Sequence, residues 1–382
     1  MNSSVVVLGA TGSIGTQTLE VVEHLGLRVA ALAAREPTPR LASIAEKYPD
    51  AVVIATGGSS EEREEFSRRV GARARFGSEA LLEAASTPKV TIVNGIVGAA
   101  GLRSTIAGLE AGNRVALANK ESLVAGGPVV KAALERGGGE IIPVDSEHSA
   151  LYQCLLGESP ESVSKLVLTA SGGPFRGRSK KSLVGVTPEE ALAHPTWDMG
   201  QRITIDSATL FNKGLEVIEA YYLFDIPYDR IDVVVHPQSI LHSAVEFADG
   251  SWKAHLGHPD MRIPIQFALT APDRSPGLAK PFDLAGSDLT FESPDRDAFP
   301  ALDIAFSAGR RGGSSPAVLN AADEVAVEAF LQGRLGFTSI SEVVQKTIDT
   351  VVYRELISVD DVIEVDREAR VAAASLVERH AD

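Results

Sequence analysis

Ser4-Val5-Val6-Val7-Leu8-Gly9-Ala10-Thr11-Gly12-Ser13-Ile14-Gly15 is the stretch whose reading decides the fold. The unbroken run of β-branched and aliphatic residues reads as a strand buried on both faces, as in a parallel sheet. The glycines that follow permit a tight turn and let backbone N–H groups approach a pyrophosphate. A helical pattern opens near residue 13, so a helix N-terminus adds its partial positive charge at the same place. An ordinary glycine turn is the competing reading. The order strand, turn, helix favours a dinucleotide-binding element.

Working outward, Val29–Leu32, Val52–Ile54, Val90–Val93, Arg114–Leu117 and Ile141–Ile142 also read as strands. They alternate with helical stretches near 13–25, 39–48, 61–71, 78–86, 100–111 and 121–136. This alternation predicts an α/β, Rossmann-like N-terminal domain over residues 1–144, a parallel sheet covered by helices on both faces. The pattern then changes. Residues 146–157 look helical and 163–169 form a strand that leads into the loop Ala170-Ser171-Gly172-Gly173-Pro174. Thr187-Pro188-Glu189-Glu190 is a capping box, followed by an irregular loop over residues 194–200. Residues 231–236, 241–247 and 251–257 alternate like antiparallel strands, with Asp249-Gly250 as a hairpin turn. An α+β catalytic domain is expected over 145–272. A linker rich in Pro, Asp, Ser and Gly follows over 273–297, then a C-terminal helical bundle over 298–382. Ser339-x-x-Glu342 and Ser358-Val359-Asp360-Asp361 read as helix starts in that bundle.

The bulk numbers narrow the function. At 382 residues the chain is long enough for two or three domains, and 44% hydrophobic with 23% charged residues is a soluble globular balance. A formal charge of −15 argues against binding nucleic acid or anionic membranes, so an anionic ligand must be held by a local cluster of donors. No apolar run is long enough to cross a bilayer. The single cysteine excludes an internal disulfide and a zinc site built from several thiolates. With a strand starting at once and no basic-then-apolar leader, a cytoplasmic location is expected.

The chemistry gathers in a few segments. Asp145-Ser146-Glu147 follows the apolar run Ile141-Ile142-Pro143-Val144, and Asp206–Glu216 adds a further acid together with Ser207, Asn212 and Lys213. Asp145, Glu147 and Glu216 offer the hard oxygen ligands that magnesium or manganese prefers. Asp145 and Glu147 are two apart and would share one face of an extended stretch. The bland alternative is a set of solvated surface acids. Ser171, Ser207, Asn212 and Lys213 are candidate phosphate donors, although each alone reads equally as a loop or cap residue. At the end of the second strand, Arg35 suits a 2′-phosphate and hence NADP, whereas Glu36 suits a free 2′-hydroxyl and hence NAD; two surface charges is the plain reading. Asn119-Lys120-Glu121-Ser122 sits where a parallel sheet presents ligands. There Lys120 could steady a substrate oxygen and Asn119 and Glu121 touch a ribose, or the same residues could simply cap a helix. His194 and Trp197 lie on a loop able to close over a ligand, or Trp197 fills a crevice. His255-x-x-His258 and His236…His242 lack zinc-site spacing and partners and read as structural, and Cys154 reads as a small core residue. Together these features suggest a metal-assisted NAD(P)-dependent enzyme acting on a phosphorylated sugar.

The chain resembles the 1-deoxy-D-xylulose 5-phosphate reductoisomerases over essentially its whole length. The strings that carry the resemblance are Gly9–Gly15, Ala118–Ser122, Pro143–Ala150, Thr169–Phe175, His194–Gly200, Asp206–Glu216, His236–Ile240 and Pro259–Arg262. The resemblance implies a three-domain homodimer that uses NADPH and Mg²⁺ or Mn²⁺, with Co²⁺ possible, to turn 1-deoxy-D-xylulose 5-phosphate into 2-C-methyl-D-erythritol 4-phosphate. It implies metal binding by Asp145, Glu147 and Glu216. Substrate binding is implied for Lys120, Ser146, Glu147, Ser171, His194, Ser207, Asn212, Lys213 and Glu216, with Lys120, Glu147 and Glu216 at the chemistry. Thr11, Gly12, Ser13, Ile14, Asn119, Glu121 and Gly200 fall to the cofactor, and His194, Trp197 and Met199 to a lid. Many members carry a glycine-containing segment where this chain has Arg35-Glu36-Pro37, so only Arg35 is carried over for the 2′-phosphate.

Overall fold

The computed structural model describes residues 4–197 and 199–381. Asp198, inside the expected lid segment, lies outside the described residues. The chain divides into two compact units: residues up to 122 with 129–149 and 260–280, and residues 123–128 and 150–259 with those from 281 onward.

The first unit is built on seven strands: β1 (Ser4–Leu8), β2 (Arg28–Ala34), β3 (Val52–Ala55), β4 (Ala74–Phe76), β5 (Thr91–Asn94), β6 (Arg114–Leu117) and β7 (Glu140–Pro143). They form one parallel sheet in the order β4-β3-β2-β1-β5-β6-β7. Between them run α1 (Ser13–Leu25), α2 (Pro39–Glu46), α3 (Ser60–Val70), α4 (Gly77–Ala85), α5 (Leu102–Glu110) and α6 (Glu121–Gly137). Val5, Val7, Leu8, Leu32, Ile54 and Ile92 are fully buried, which is why the inner strands read as continuous apolar runs. The strand order reverses between β1 and β5, and such a reversal opens the crevice where open α/β sheets bind ligands. The sequence predicts six strands here. The seventh, β4, is a three-residue edge segment, Ala-Arg-Phe, with no apolar alternation to mark it. The chain re-enters this unit with α11 (Arg262–Thr270), which packs on α1 and on β6 and β7.

The second unit holds a four-stranded sheet of β8 (Val163–Ala170), β9 (Ile231–Val235), β10 (Leu241–Phe247) and β11 (Trp252–Leu256) in the order β11-β10-β8-β9. The hairpin at Asp249-Gly250 forms as expected, with Asp249 accepting from the Ser251 N–H at 2.9 Å. The sheet is not purely antiparallel: β8 and β9 run parallel, because the helices between them return the chain in the same direction. Those helices are α8 (Pro188–Leu192), α9 (Gln201–Thr209) and α10 (Phe211–Phe224), and the Thr187/Glu190 capping box forms on α8. Both ends of the expected linker belong to one unit or the other. Within it, Thr290 and Glu292 are bonded to the end of β9, Glu292 through backbone bonds with Val235 and Thr290 through His236.

The C-terminal helices are α12 (Ala301–Arg311), α13 (Ser315–Leu331), α14 (Ser339–Thr350) and α15 (Val359–Ala381), with α7 (Ser146–Leu155) earlier in the chain. Helix α13 is buried nearly all round and forms the centre of the bundle, packed by α14 and α15. Ser358 and Asp361 cap α15 reciprocally, at 2.8 and 3.1 Å. The Ser339/Glu342 box does not form: Thr338 takes the cap position with no side-chain bond, so Ser339 is already inside the helix.

Candidate active site

In the first unit the glycine turn closes on the strand-order reversal. The N–H groups of Gly9 and Ala10 both donate to the Ala33 carbonyl, at 2.9 and 2.8 Å. Gly9 has φ +86°, and a Cβ there would sit 2.6 Å from the Gly95 carbonyl oxygen just beyond β5. A Cβ on Gly15 would press into the Gly9 carbonyl, so both glycines are required by close approach. Gly12 is the N-cap of α1 and contributes no side chain, leaving the first-turn N–H groups of α1 facing an exposed lip at Gly12 and Ser13, with Thr11 and Ile14 half-buried. That arrangement suits a phosphate. Arg35, just past the end of β2, is 90% exposed and pairs with Glu36 at 3.3 Å, placing an exposed cation beside the same sheet edge.

Asn119 takes a different position from a simple surface contact. It is buried; its amide nitrogen lies 2.8 and 2.9 Å from the carbonyl oxygens of Ile96 and Gly98 and 2.7 Å from the Glu121 carboxylate, sharing its two N–H groups among them, and its oxygen accepts from the Ser122 hydroxyl. It therefore shapes the loop after β5. Lys120 lies 3.5 Å from Asp145, with 11% and 18% of the two side chains exposed. Asp145 also accepts from the Glu147 N–H at 3.2 Å, and His148 Nδ1 stands 3.2 Å away. Asp145 and Glu147 do not share the face of an extended segment. The chain turns helical at Ser146, so Asp145 caps α7 and Glu147 stands in its first turn, its carboxylate accepting from the Ser146 hydroxyl at 2.6 Å. The sequence reading missed His148, fully buried against Asp145; its signal was the i, i+3 spacing within Asp145-Ser-Glu-His148.

In the second unit three separate segments meet at Ser171. His194 Nδ1 accepts the N–H groups of Thr196 and Trp197, at 3.1 and 2.9 Å. The proton of the neutral ring is therefore on Nε2, which lies 2.9 Å from the Ser171 hydroxyl and donates to it. Burial lowers the His194 pKa and keeps the ring neutral. The Ser207 hydroxyl from α9 is 3.5 Å from that of Ser171. Gly172 and Gly173 both have positive φ, and a Cβ on Gly173 would meet the Ser207 carbonyl at 2.8 Å, so the Ser171 loop can approach α9 only with glycine there. Trp197 leans toward the buried His242, ring centroids 6.4 Å apart; Met199 is half-buried, and Gly200 is the exposed N-cap of α9.

Leu210, at φ +68°, makes the sharp joint between α9 and α10. The joint puts Asn212, Lys213 and Glu216 in the first turns of α10. Glu216 is buried; one carboxylate oxygen accepts from Asn212 at 2.6 Å and the other from Lys213. The histidines expected to be structural have such roles or surroundings: His236 donates from Nδ1 to the Thr290 carbonyl and accepts at Nε2 from Ile240 and Leu241, and His242 is buried beside His255. Cys154 is buried on α7.

Residues 5–127 match the family model of 1-deoxy-D-xylulose 5-phosphate reductoisomerase, residues 141–224 its C-terminal domain, and residues 256–372 a further DXP reductoisomerase C-terminal domain. The chain belongs to the 1-deoxy-D-xylulose 5-phosphate reductoisomerase family. Its members are enzymes, named as reductoisomerases. A reductoisomerase of Chloroherpeton thalassium is 48% identical over 371 residues, covering 96% of each chain. One from a Geobacillus species is 47% identical, covering 97% of this chain and 99% of its own. The reductoisomerase of Zymomonas mobilis, solved in complex with NADPH, superposes with a TM-score of 0.92 at 42% identity over 98% of this chain and 99% of that one. A DOX-P reductoisomerase solved with NADPH, fosmidomycin and magnesium gives 0.90 at 38% identity, covering 98% of both. The expected fold class, a parallel-sheet unit with a second sheet and a helical C-terminal region, is the one observed.

Proposed function

We propose that this chain is an NADPH- and divalent-metal-dependent reductoisomerase that converts 1-deoxy-D-xylulose 5-phosphate to 2-C-methyl-D-erythritol 4-phosphate. The observation that carries the reading is the meeting of Ser171, His194 and Ser207 in a chain similar along its length to reductoisomerases solved with NADPH and magnesium.

The residues present fit the groups such an enzyme needs. Asp145, Glu147 and Glu216 are all oxygen donors, suited to Mg²⁺ or Mn²⁺ and also able to take Co²⁺; the buried Cys154 offers no competing thiolate site. The glycine turn at the N-terminus of α1 fits the pyrophosphate of NADPH, held through Thr11, Gly12, Ser13 and Ile14, with Asn119, Glu121 and Gly200 at the nicotinamide end and Arg35 taking the 2′-phosphate. When bound, NADPH supplies a hydride and the metal ion polarises the oxygens of the ketose backbone.

The chain's own residues do the rest. Lys120, its charge held beside Asp145, stabilises negative charge that develops on substrate oxygens as the carbon skeleton is cleaved and rejoined to give an aldehyde. Lys213, Asn212, Ser207 and Ser171 hold the phosphate end and nearby hydroxyls, helped by the N-terminus of α10. Neutral His194 donates to Ser171 and orients its hydroxyl. The lid residues His194, Trp197 and Met199 exclude water while the aldehyde is reduced. Ser146 supports Glu147. We assign the enzyme to the cytoplasm as a homodimer; no described helix is long and apolar enough to cross a membrane.

The test is direct. Purified protein, NADPH, magnesium and 1-deoxy-D-xylulose 5-phosphate should together oxidise the cofactor, omission of any one should stop it, and EDTA should abolish it until magnesium is restored. Oxidation that persists in EDTA, or that needs no sugar phosphate, overturns the reading.

A further inference from the structure

Behind Ser207 lies a charged cluster that the proposed chemistry does not use. Arg202, on α9, donates to Glu324 at 2.8 Å and to Asn320 at 2.9 Å on α13, and stands 3.5 Å from Asp323 and 3.6 Å from Asp206. Glu324 is further held by Arg370 of α15, which also pairs with Asp366 at 2.7 Å. Asp323 is completely buried, and the Asp206 side chain is 4% exposed.

With Glu324 occupied by both arginines, one guanidinium faces two buried carboxyl groups. Burial beside a single guanidinium raises the cost of ionising both carboxyl groups, which favours one proton held between them. We propose that Asp323 is a positioning residue of the active site: through a proton shared with Asp206 it fastens α9 to α13 and so sets Ser207 in place for the substrate.

Asp206 immediately precedes Ser207, and α9 begins at Gln201, directly after the lid segment, so a slip of this one helix moves both parts of the site. Burial and the neighbouring Asp206 push the Asp323 carboxyl well above the usual carboxylate range, against the pull of Arg202. The charged groups that act on it are Asp206 and Arg202 from α9 and Glu324 from its own helix, with Arg370 and Asp366 of α15 reached through Glu324.

The inference rests on the proposed role of Ser207, so wild-type turnover of 1-deoxy-D-xylulose 5-phosphate is measured first; its absence would strike the function, not this pair. Given turnover, Asp323→Asn keeps a donor toward Asp206 and has no proton to lose. It should retain kcat/KM within about threefold at neutral pH and hold it to higher pH than wild type, whose kcat/KM falls once the shared proton leaves. Asp323→Leu removes the donor and should raise the substrate KM about tenfold, with NADPH affinity unchanged. Thermal unfolding of each variant monitors the fold. Coincident pH profiles for wild type and Asp323→Asn, or a wild-type substrate KM in Asp323→Leu, overturns the proposal.

Discussion

The Nε2 of His194 lies 2.9 Å from the hydroxyl of Ser171, and the loop that carries His194 decides which ring nitrogen holds the proton. Two backbone N–H groups, of Thr196 and Trp197, point at Nδ1, so Nδ1 is an acceptor. Protonating the ring would put a third N–H against those two.

The first prediction concerns that protonation. Because burial lowers the His194 pKa from its ordinary 6.5, the neutral ring persists at physiological pH, and acid must add charge where two donors already point. The substrate kcat/KM should therefore fall on the acid side, below pH 6.5. His194→Gln, which does not titrate, should lower kcat/KM by about tenfold at neutral pH and lose that acid limb. An unaltered limb in the variant would assign it to another group.

Glu216→Gln should reduce turnover on the order of a hundredfold or more while NADPH affinity stays within a few-fold. The substitution removes the charge offered to a cation and also turns an amide N–H₂ toward either Asn212 or Lys213, both of which now donate to Glu216. Steady-state kinetics with a parallel NADPH titration checks it; wild-type turnover would remove Glu216 from the metal site.

Gly15→Ala tests the glycine turn. The new Cβ would collide with the Gly9 carbonyl oxygen and the Ala10 backbone, none of which can swing aside as a flexible side chain would. Overpacking of this kind costs roughly 1–3 kcal/mol of stability. NADPH affinity should fall as well, because the N–H groups of the turn shift. Urea unfolding and cofactor titration measure the two effects; a variant that keeps both would show that the turn accommodates the methyl.

Stability should also depend on pH through His242. Burial first, then the charge of His255, depress its pKa to about 4, against 6.5 for an ordinary histidine. Below 6.5 the unfolded chain takes up a proton that the folded chain refuses. The stability present above pH 6.5 is therefore lost progressively as pH falls toward 4, by roughly 3 kcal/mol at most. Urea midpoints at pH 7 and pH 5 should differ less in His242→Asn than in wild type. Equal differences would acquit His242.

Much of the first unit was legible because its signals are local. A continuous apolar run followed by Gly9, Gly12 and Gly15 specifies strand, turn and helix through backbone sterics alone. The two acids around Ser146 and the Asn212–Glu216 segment could be picked out by residue type. What escaped had no local signature. Helix α9 has a glycine N-cap without a side-chain bond and the β-branched Ile203-Thr204-Ile205; it is helical because Thr204, Ile205, Asp206 and Ala208 are buried against neighbours. The parallel pairing of β8 with β9 depends on the helices lying between them, which alternation within a strand does not report. Asp323 stood in an apolar helix as one acid among many.

By itself, then, the sequence determined most of the element types, the glycine turn and the kinds of group available for chemistry, since these follow from φ/ψ limits, residue periodicity and donor inventory along a short stretch of chain. Only the tertiary structure decided that Ser171, His194 and Ser207 meet, that Lys120 faces Asp145, and that Asp206 and Asp323 crowd one arginine. Those relations join residues tens to more than a hundred positions apart, and packing, not sequence proximity, sets the distances on which hydrogen bonds and protonation depend.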